Sequence, residues 1–362
     1  MLRVKDFYQK IDQIAPFKTA YEWDNSGLLI GDMDAHVKKV LFTLDITDQI
    51  VDYAVANKFD LIIAHHPVIL FQPVKQITQK KLLVLIENKI AVICAHTNLD
   101  TTKYGVNHVL ANKLSLKNIH TLSMSDITQY QICVYTPNDY VTKVMQVMHT
   151  AGAGIIGNYS HCVTYFDTKG QYKPTEGATP FKGKVENLEN VNEVKLELMC
   201  EDIHLNKVLK AMFTSHPYET PAYTVIPLKQ KSPNYGIGCY GSLESHMSLK
   251  SFALYVKERL SAPIVKLWAA DKKEDDIVKN IAVCGGSGYS VINEAKKVAD
   301  VFVSGDFTYH QFLDSPMPVI DAGHYYTEYP AMPALKDLLS DFDCEMAVLP
   351  TAEHDIQKKT II

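Results

Sequence analysis

The chain has little with which to build a disulfide scaffold. Its seven cysteines, Cys94, Cys133, Cys162, Cys200, Cys239, Cys284 and Cys344, are odd in number and widely spaced, and none forms a C-x-x-C pair. That argues against a cysteine-based structural zinc site and fits buried free thiols in a reducing compartment. No apolar run approaches about 18 residues, so no membrane-crossing helix is expected. The first residues, Met1-Leu2-Arg3-Val4-Lys5-Asp6, lack the apolar stretch of a signal peptide, and a soluble, cytoplasmic protein is the expectation. Excess charge is missing too. The formal charge is −5 and the pI is near 6.3. Basic runs stop at pairs such as Lys80-Lys81 and Lys272-Lys273, so bulk electrostatics give no sign of binding to nucleic acid or a membrane surface. No solenoid-type repeat is visible.

What remains is an ordinary globular composition, 47% apolar over 362 residues, which is enough for two domains. Residues 1 to about 125 alternate between helix and strand. Helices are expected at Lys5 to Ile14, Ile50 to Asn57, Lys80 to Glu87 and Asn107 to Leu114, and strands at Val40 to Asp45, Leu61 to Ala64 and Ala91 to Ala95. The rhythm returns late, with strands at Ile281 to Cys284, Val301 to Ser304 and Val319 to Ala322 and a helix near Pro330 to Leu339. Apolar runs of this length alternating with helices predict a mainly parallel sheet flanked by helices. Between the two stretches the strands lengthen and alternate, as in Gln131 to Tyr135 and Glu193 to Leu198. Helices are expected there near Asp139 to Thr150 and Leu205 to Thr214, with Gly170 to Gly183 a hairpin or long loop. That order reads as a β-α-β-β-α-β unit. The fold class is therefore α/β: one discontinuous domain, 1–125 with 235–362, interrupted by a smaller α+β insert, 126–234.

Chemistry-bearing residues collect where the apolar runs stop. His65 and His66 follow Leu61 to Ala64, His96 and Asp100 follow Ala91 to Ala95, and His324 and Glu328 follow Val319 to Ala322. In open α/β sheets ligands gather at the carboxyl ends of strands. Three such ends supply imidazoles and carboxylates, the donors of a hydrolytic metal site. His65, His66, Asp100, His324 and Glu328 are more donors than one tetrahedral ion with an open position needs, and two divalent ions sharing a carboxylate would use all five. The His324 to Glu328 spacing is that of one helix face, but Pro330 and Pro333 place the helix start near Glu328 to Pro330, so the pair is expected to straddle a strand-to-helix corner. His96, Asp24, Asp45, Asp306 and His310 lie near strand ends and could orient ligands or shuttle protons; His96 is the favoured proton donor. Gly285-Gly286-Ser287-Gly288 reads as a tight βα turn, and His216-Pro217-Tyr218-Glu219-Thr220-Pro221 as a rigid turn or a loop reaching toward the metals.

The motifs Glu22-Trp23-Asp24-Asn25-Ser26-Gly27-Leu28, Ala64-His65-His66-Pro67, His96-Thr97-Asn98-Leu99-Asp100, His216-Pro217-Tyr218-Glu219 and Gly323-His324 through Glu328 occur in order. Together they resemble the family of GTP cyclohydrolase I type 2 homologues, also called the Nif-three-like dinuclear-metal proteins, over essentially the whole chain. The longer bacterial members, which carry a PII-like or CutA-like insert, are the most similar. The resemblance implies a toroidal homohexamer with two divalent metal ions per subunit, zinc foremost and iron or manganese as alternatives. It carries His65, His66, Asp100, His324 and Glu328 over as ligands, with Glu328 bridging. Ser26 and Thr220 depart from the usual pattern, and neither is a proposed ligand. The implied activity is hydrolytic opening of the guanine imidazole ring by metal-activated water, so a nucleotide or other small molecule is the expected substrate. A phosphoesterase using the same ions, or a non-enzymatic regulatory or scaffold ring, are the alternatives.

Overall fold

The computed structural model describes residues 1–69 and 76–349, so part of the outer domain expected to run to 362 lies outside it. The chain divides into two compact units, 1–124 with 234–362 and 125–233. The first unit holds two mixed sheets where the sequence pointed to one mainly parallel sheet. One has five strands, in the spatial order Gly27–Ile30, Ala91–Cys94, Leu61–Ala64, Lys39–Thr43, Glu345–Val348. Its last four strands are parallel and Gly27–Ile30 is antiparallel. The other has six strands, in the order Lys266–Trp268, Val319–Asp321, Val301–Gly305, Ile277–Ser287, Gly236–Ser248, Lys117–Met124. Only its three inner strands from Val319–Asp321 to Ile277–Ser287 run parallel.

Side chains on a strand point alternately to opposite faces, and both faces of these strands are covered. Leu61 and Ile63 join Val40, Phe42 and Ile93 in one core, while Ile62 and Ala64 join Leu41 and Val92 in another. All four residues of Leu61–Ala64 are wholly buried. In the second sheet Ile281, Val283, Val301, Val303 and Ile320 belong to that same first core, which is thus shared by the two sheets. Their neighbours Ala282, Phe302 and Val319 face a further cluster. Strands apolar on both sides must be sandwiched between layers, which is why these runs read so plainly. Helices supply the covers. Val4, Phe7 and Ile11 form the buried stripe of Val4–Ile14, and Thr47 caps Asp48–Ala56 by accepting from the Ile50 N–H.

Two further expectations change. The Ile277–Ser287 strand runs through Gly285 and Gly286, with an irregular register between Val283 and Ser287, so these glycines form a bulged strand end and not a βα turn. His324–Glu328 is itself one helical turn, followed by the helix Ala331–Leu338. The chain turns at Gly323, whose φ of +83° suits glycine, and helix begins at once. Pro330 and Pro333 then sit at the start of the second helix, where no N–H is needed.

The 125–233 unit has the order β-α-β-β-α-β: Thr128–Pro137, Val141–Thr150, Thr164–Tyr172, Glu189–Glu201, Asp202–Ser215 and Tyr223–Lys231. Its four strands form a wholly antiparallel sheet with Glu189–Glu201 and Thr128–Pro137 in the centre. Val144, Met148, Val208 and Met212 from the helices pack with Ile132, Val134, Leu196 and Leu198 from those central strands. The chain leaves the sheet at Tyr172 and re-enters it opposite, at Glu189. All seven cysteines are free.

Candidate metal centre

The parallel ladder carries the first two imidazoles past the end of their strand. The N–H groups of His65 and His66 still donate to Thr43 O and Leu44 O, at 3.2 and 2.9 Å. His65 Nδ1 lies 2.8 Å from the Ala95 carbonyl oxygen. A carbonyl can only accept, so Nδ1 carries the proton and Nε2 is left with its lone pair whenever the ring is neutral. His66 Nδ1 is 2.7 Å from Asp45 Oδ1, and His324 Nδ1 is 2.6 Å from Asp306 Oδ2. Both carboxylates impose the same tautomer. Three rings therefore turn Nε2 inward, each fixed by an outer partner.

What these nitrogens face is two carboxylates and one another. His65 Nε2 lies 3.6 Å from Asp100 Oδ1 and 3.8 Å from Glu328 Oε1. It is completely buried and has no hydrogen-bond partner. Glu328 Oε2 lies 3.1 Å from His66 Nε2 and 2.9 Å from His324 Nε2, yet the angles do not make hydrogen bonds. The two Nε2 atoms face each other at 3.3 Å. Donors about 2.0–2.1 Å from a tetrahedral ion stand roughly 3.3 Å apart, which is the spacing of this second group. Two sets of side chains bring one donor atom each to within 4.8 Å of one another: His66, His324 and Glu328, and His65, His66 and His96.

A model of the Duf34/NIF3 (NGG1p interacting factor 3) family matches residues 2–355. The chain belongs to this family. It is 41% identical over 327 residues to a Bacillus subtilis protein named GTP cyclohydrolase 1 type 2 homolog, covering 88% of this chain and 87% of that one. A Staphylococcus epidermidis protein of the same name is 36% identical over 346 residues, 93% of each chain. Among solved structures, a Bacillus cereus protein related to NIF3 superposes with a TM-score of 0.84 at 34% identity, covering 96% of both chains.

The electrostatics of this Duf34/NIF3 site follow from burial working against charge pairing. Burial disfavours a charged His66 and a charged His324, but Asp45, Asp306 and Glu328 overcome it and raise them to about 9 and about 10. Burial likewise opposes ionisation of Glu328, and the three imidazoles around it hold its carboxyl well below the ordinary range. Asp100 moves the other way: burial and the nearby Glu328 charge raise it. Burial pushes the Cys94 and Cys284 thiols far up, which removes thiolates from the site.

His96, expected as a proton donor, stands just before the short helix Thr97–Thr101, with Nδ1 2.7 Å from Asp24 Oδ1. Burial disfavours ionised Asp24, but hydrogen bonds from His96, Thr97 and Ser26 outweigh it and keep the carboxyl below its usual range. Asp24, Asp45 and Asp306 thus each hold one imidazole. His310 is exposed against Tyr309 and joins nothing here. Both nitrogens of His216 are engaged inside the insert, with Tyr135 O and the Tyr218 N–H, so it is not a free ligand.

Two supports escape sequence reading. Asn107, 2% exposed, donates to Asp100 O at 2.8 Å and accepts from the Gly285 N–H at 2.9 Å, tying the short Thr97–Thr101 helix to the end of the Ile277–Ser287 strand. Gly286 has a φ of +60°, and a Cβ there would stand 2.2 Å from Glu328 Oε1. The glycine pair makes room for a carboxylate.

Proposed function

We propose that this chain is a dinuclear divalent-metal protein and a metal-dependent hydrolase of the GTP cyclohydrolase type. His65, Asp100 and one oxygen of Glu328 would hold one ion, and His66, His324 and the other oxygen of Glu328 the second. Zinc, iron and manganese all accept this donor set. The observation that carries the reading is His65 Nε2, a wholly buried nitrogen without a hydrogen-bond partner, set 3.6 and 3.8 Å from two carboxylate oxygens. A buried polar atom left unpartnered is costly, and a cation between these groups removes the cost.

When bound, a pair of divalent ions supplies Lewis acidity and lowers the pKa of water. The chain's own residues orient and exchange protons. Ala95 O, Asp45 and Asp306 lock the three ligand tautomers. Glu328, buried to 5% exposure, stays ionised and offers one oxygen to each side. His96, its Nδ1 held by Asp24, presents its remaining nitrogen beside His65 and His66 and passes a proton there.

The relatives' names make GTP the first substrate to test, with attack at the imidazole carbon of guanine. A homohexameric ring and a PII-like or CutA-like insert belong to the same proposal, checked by sedimentation of the full chain. The direct experiment gives metal-loaded protein GTP and a panel of nucleotides and sugar phosphates, with His66→Ala as the blank. A ring-opened product in the wild type alone is the expected result. Phosphate release would transfer the site to phosphoester hydrolysis. Two bound ions with no turnover of any compound would remove the hydrolase reading and leave the metal site standing.

A further inference from the structure

The insert holds a cavity of about 420 Å³ that the metal chemistry does not use. It lies within the range of small-molecule sites, roughly 300–1,000 Å³. Tyr135, Tyr172, Phe181, Tyr218, Glu193 and Lys169 line it. The His216-Pro217-Tyr218-Glu219 motif, left without a role above, builds one wall. His216 donates from Nε2 to Tyr135 O at 2.9 Å and accepts the Tyr218 N–H on Nδ1 at 3.1 Å, which fixes where Tyr218 stands. The Glu219 carboxylate accepts from the Thr179 N–H at 3.1 and 3.2 Å, tying residues 173–188 to the motif. Tyr172 donates to Lys182 O at 2.8 Å from the other side.

Of the charged groups lining this cavity, Glu193 is the buried one. It is 8% exposed, and among the described residues it forms no ion pair; Lys169 and Glu219 also line the cavity but are solvent-exposed. A Cβ on residue 170 would come 2.4 Å from Glu193 Oε2, so Gly170 leaves the carboxylate its space. Burial, then a hydrogen bond from its hydroxyl to Glu193 and the charge of that carboxylate, push the Tyr218 phenol up, so the neutral phenol donates to Glu193. A buried carboxylate without a cation is unfavourable by itself. The rings do not lie parallel as a stacked base would need. Tyr172 and Tyr218 are inclined at 63° and Phe181 and Tyr218 at 49°, both with centroids 6.1 Å apart. Walls set at angles around a carboxylate are the arrangement that holds a cation against aromatic faces.

We infer that the insert cavity binds a small organic ammonium ion, with Glu193 as counter-ion and Tyr172, Phe181 and Tyr218 as the cage. The test is calorimetric titration of the full chain with choline and with its uncharged carbon isostere, 3,3-dimethylbutan-1-ol. Choline is expected to bind at least about tenfold tighter than the isostere, because only the charged ligand gains the cation–π and carboxylate contacts. Glu193→Gln should weaken choline by a similar factor. Phe181→Leu, at a side chain 50% exposed and so outside the core, should weaken it about fivefold with an unchanged melting curve. No binding of choline at tens of millimolar, equal binding of the isostere, or full choline affinity in Glu193→Gln would each overturn the assignment.

Discussion

Loading the site with metal should expel protons, and the number can be worked from the geometry. His66 and His324 are raised to about 9 and about 10 in the metal-free protein. Taken separately, both would be charged near neutral pH. They are not separate, because their Nε2 atoms face each other at 3.3 Å while both Nδ1 atoms are committed to Asp45 and Asp306. Two imidazolium N–H groups pointed at one another repel, so one shared proton is held firmly and the second loosely. Asp100 and Glu328 also raise His65 against the opposing effect of burial, which adds up to one more. Filling both positions near neutral pH should therefore release between about one and three protons, and apparent affinity should rise at least ~10-fold per pH unit between about pH 6.5 and 8.5. Calorimetric titration with zinc in buffers of different ionisation enthalpy counts these protons directly. Release below about half a proton per chain, or an affinity indifferent to pH, would refute the argument that these imidazoles are the ligands.

Other outcomes follow from the same contacts. Without metal, the stability contributed by the proton that His66 and His324 share is fully present below their unfolded pKa near 6.5. It is lost as pH rises through about 9 and about 10, so chelator-treated protein should lose on the order of a few kcal/mol over that window in urea melts, while metal-loaded protein should not. Gly286→Ala, whose Cβ would come 2.2 Å from Glu328 Oε1 at a φ of +60°, should displace that carboxylate and lower metal content with little change in far-ultraviolet dichroism. Asn107→Ala breaks two hydrogen bonds of a buried side chain and should cost about 1–3 kcal/mol by denaturant titration, with weaker metal retention than an equally destabilised core variant.

The strands were legible wherever both faces are apolar. Leu61 to Ala64 carries four wholly buried residues, and its ends were read from the hydrophobic run alone. The Gly236–Ser248 and Lys117–Met124 strands were not read, because glycine and polar side chains interrupt them and their pairing is antiparallel. The division of the expected single sheet into two is equally invisible in any local window: Val301–Gly305 pairs with Ile277–Ser287 and Val319–Asp321, while Lys39–Thr43 pairs with Leu61–Ala64 and Glu345–Val348. His324–Glu328 was misplaced because the prolines were weighed more heavily than Gly323, which starts the helix a turn earlier. The polar residues at strand ends were visible as candidates, but their pairing was not. That Asp45 belongs to His66, Asp306 to His324 and Asp24 to His96 depends on loops 18 to 72 residues apart in sequence meeting in space.

The central claim is that Glu328 joins two metal positions. Elemental analysis of the purified full chain, dialysed against metal-free buffer, tests it most directly when wild type and Glu328→Gln are measured side by side. Two ions per chain, falling to one or fewer in the variant, is the result predicted. A wild type that retains no metal, or a variant that still holds two, would contradict it.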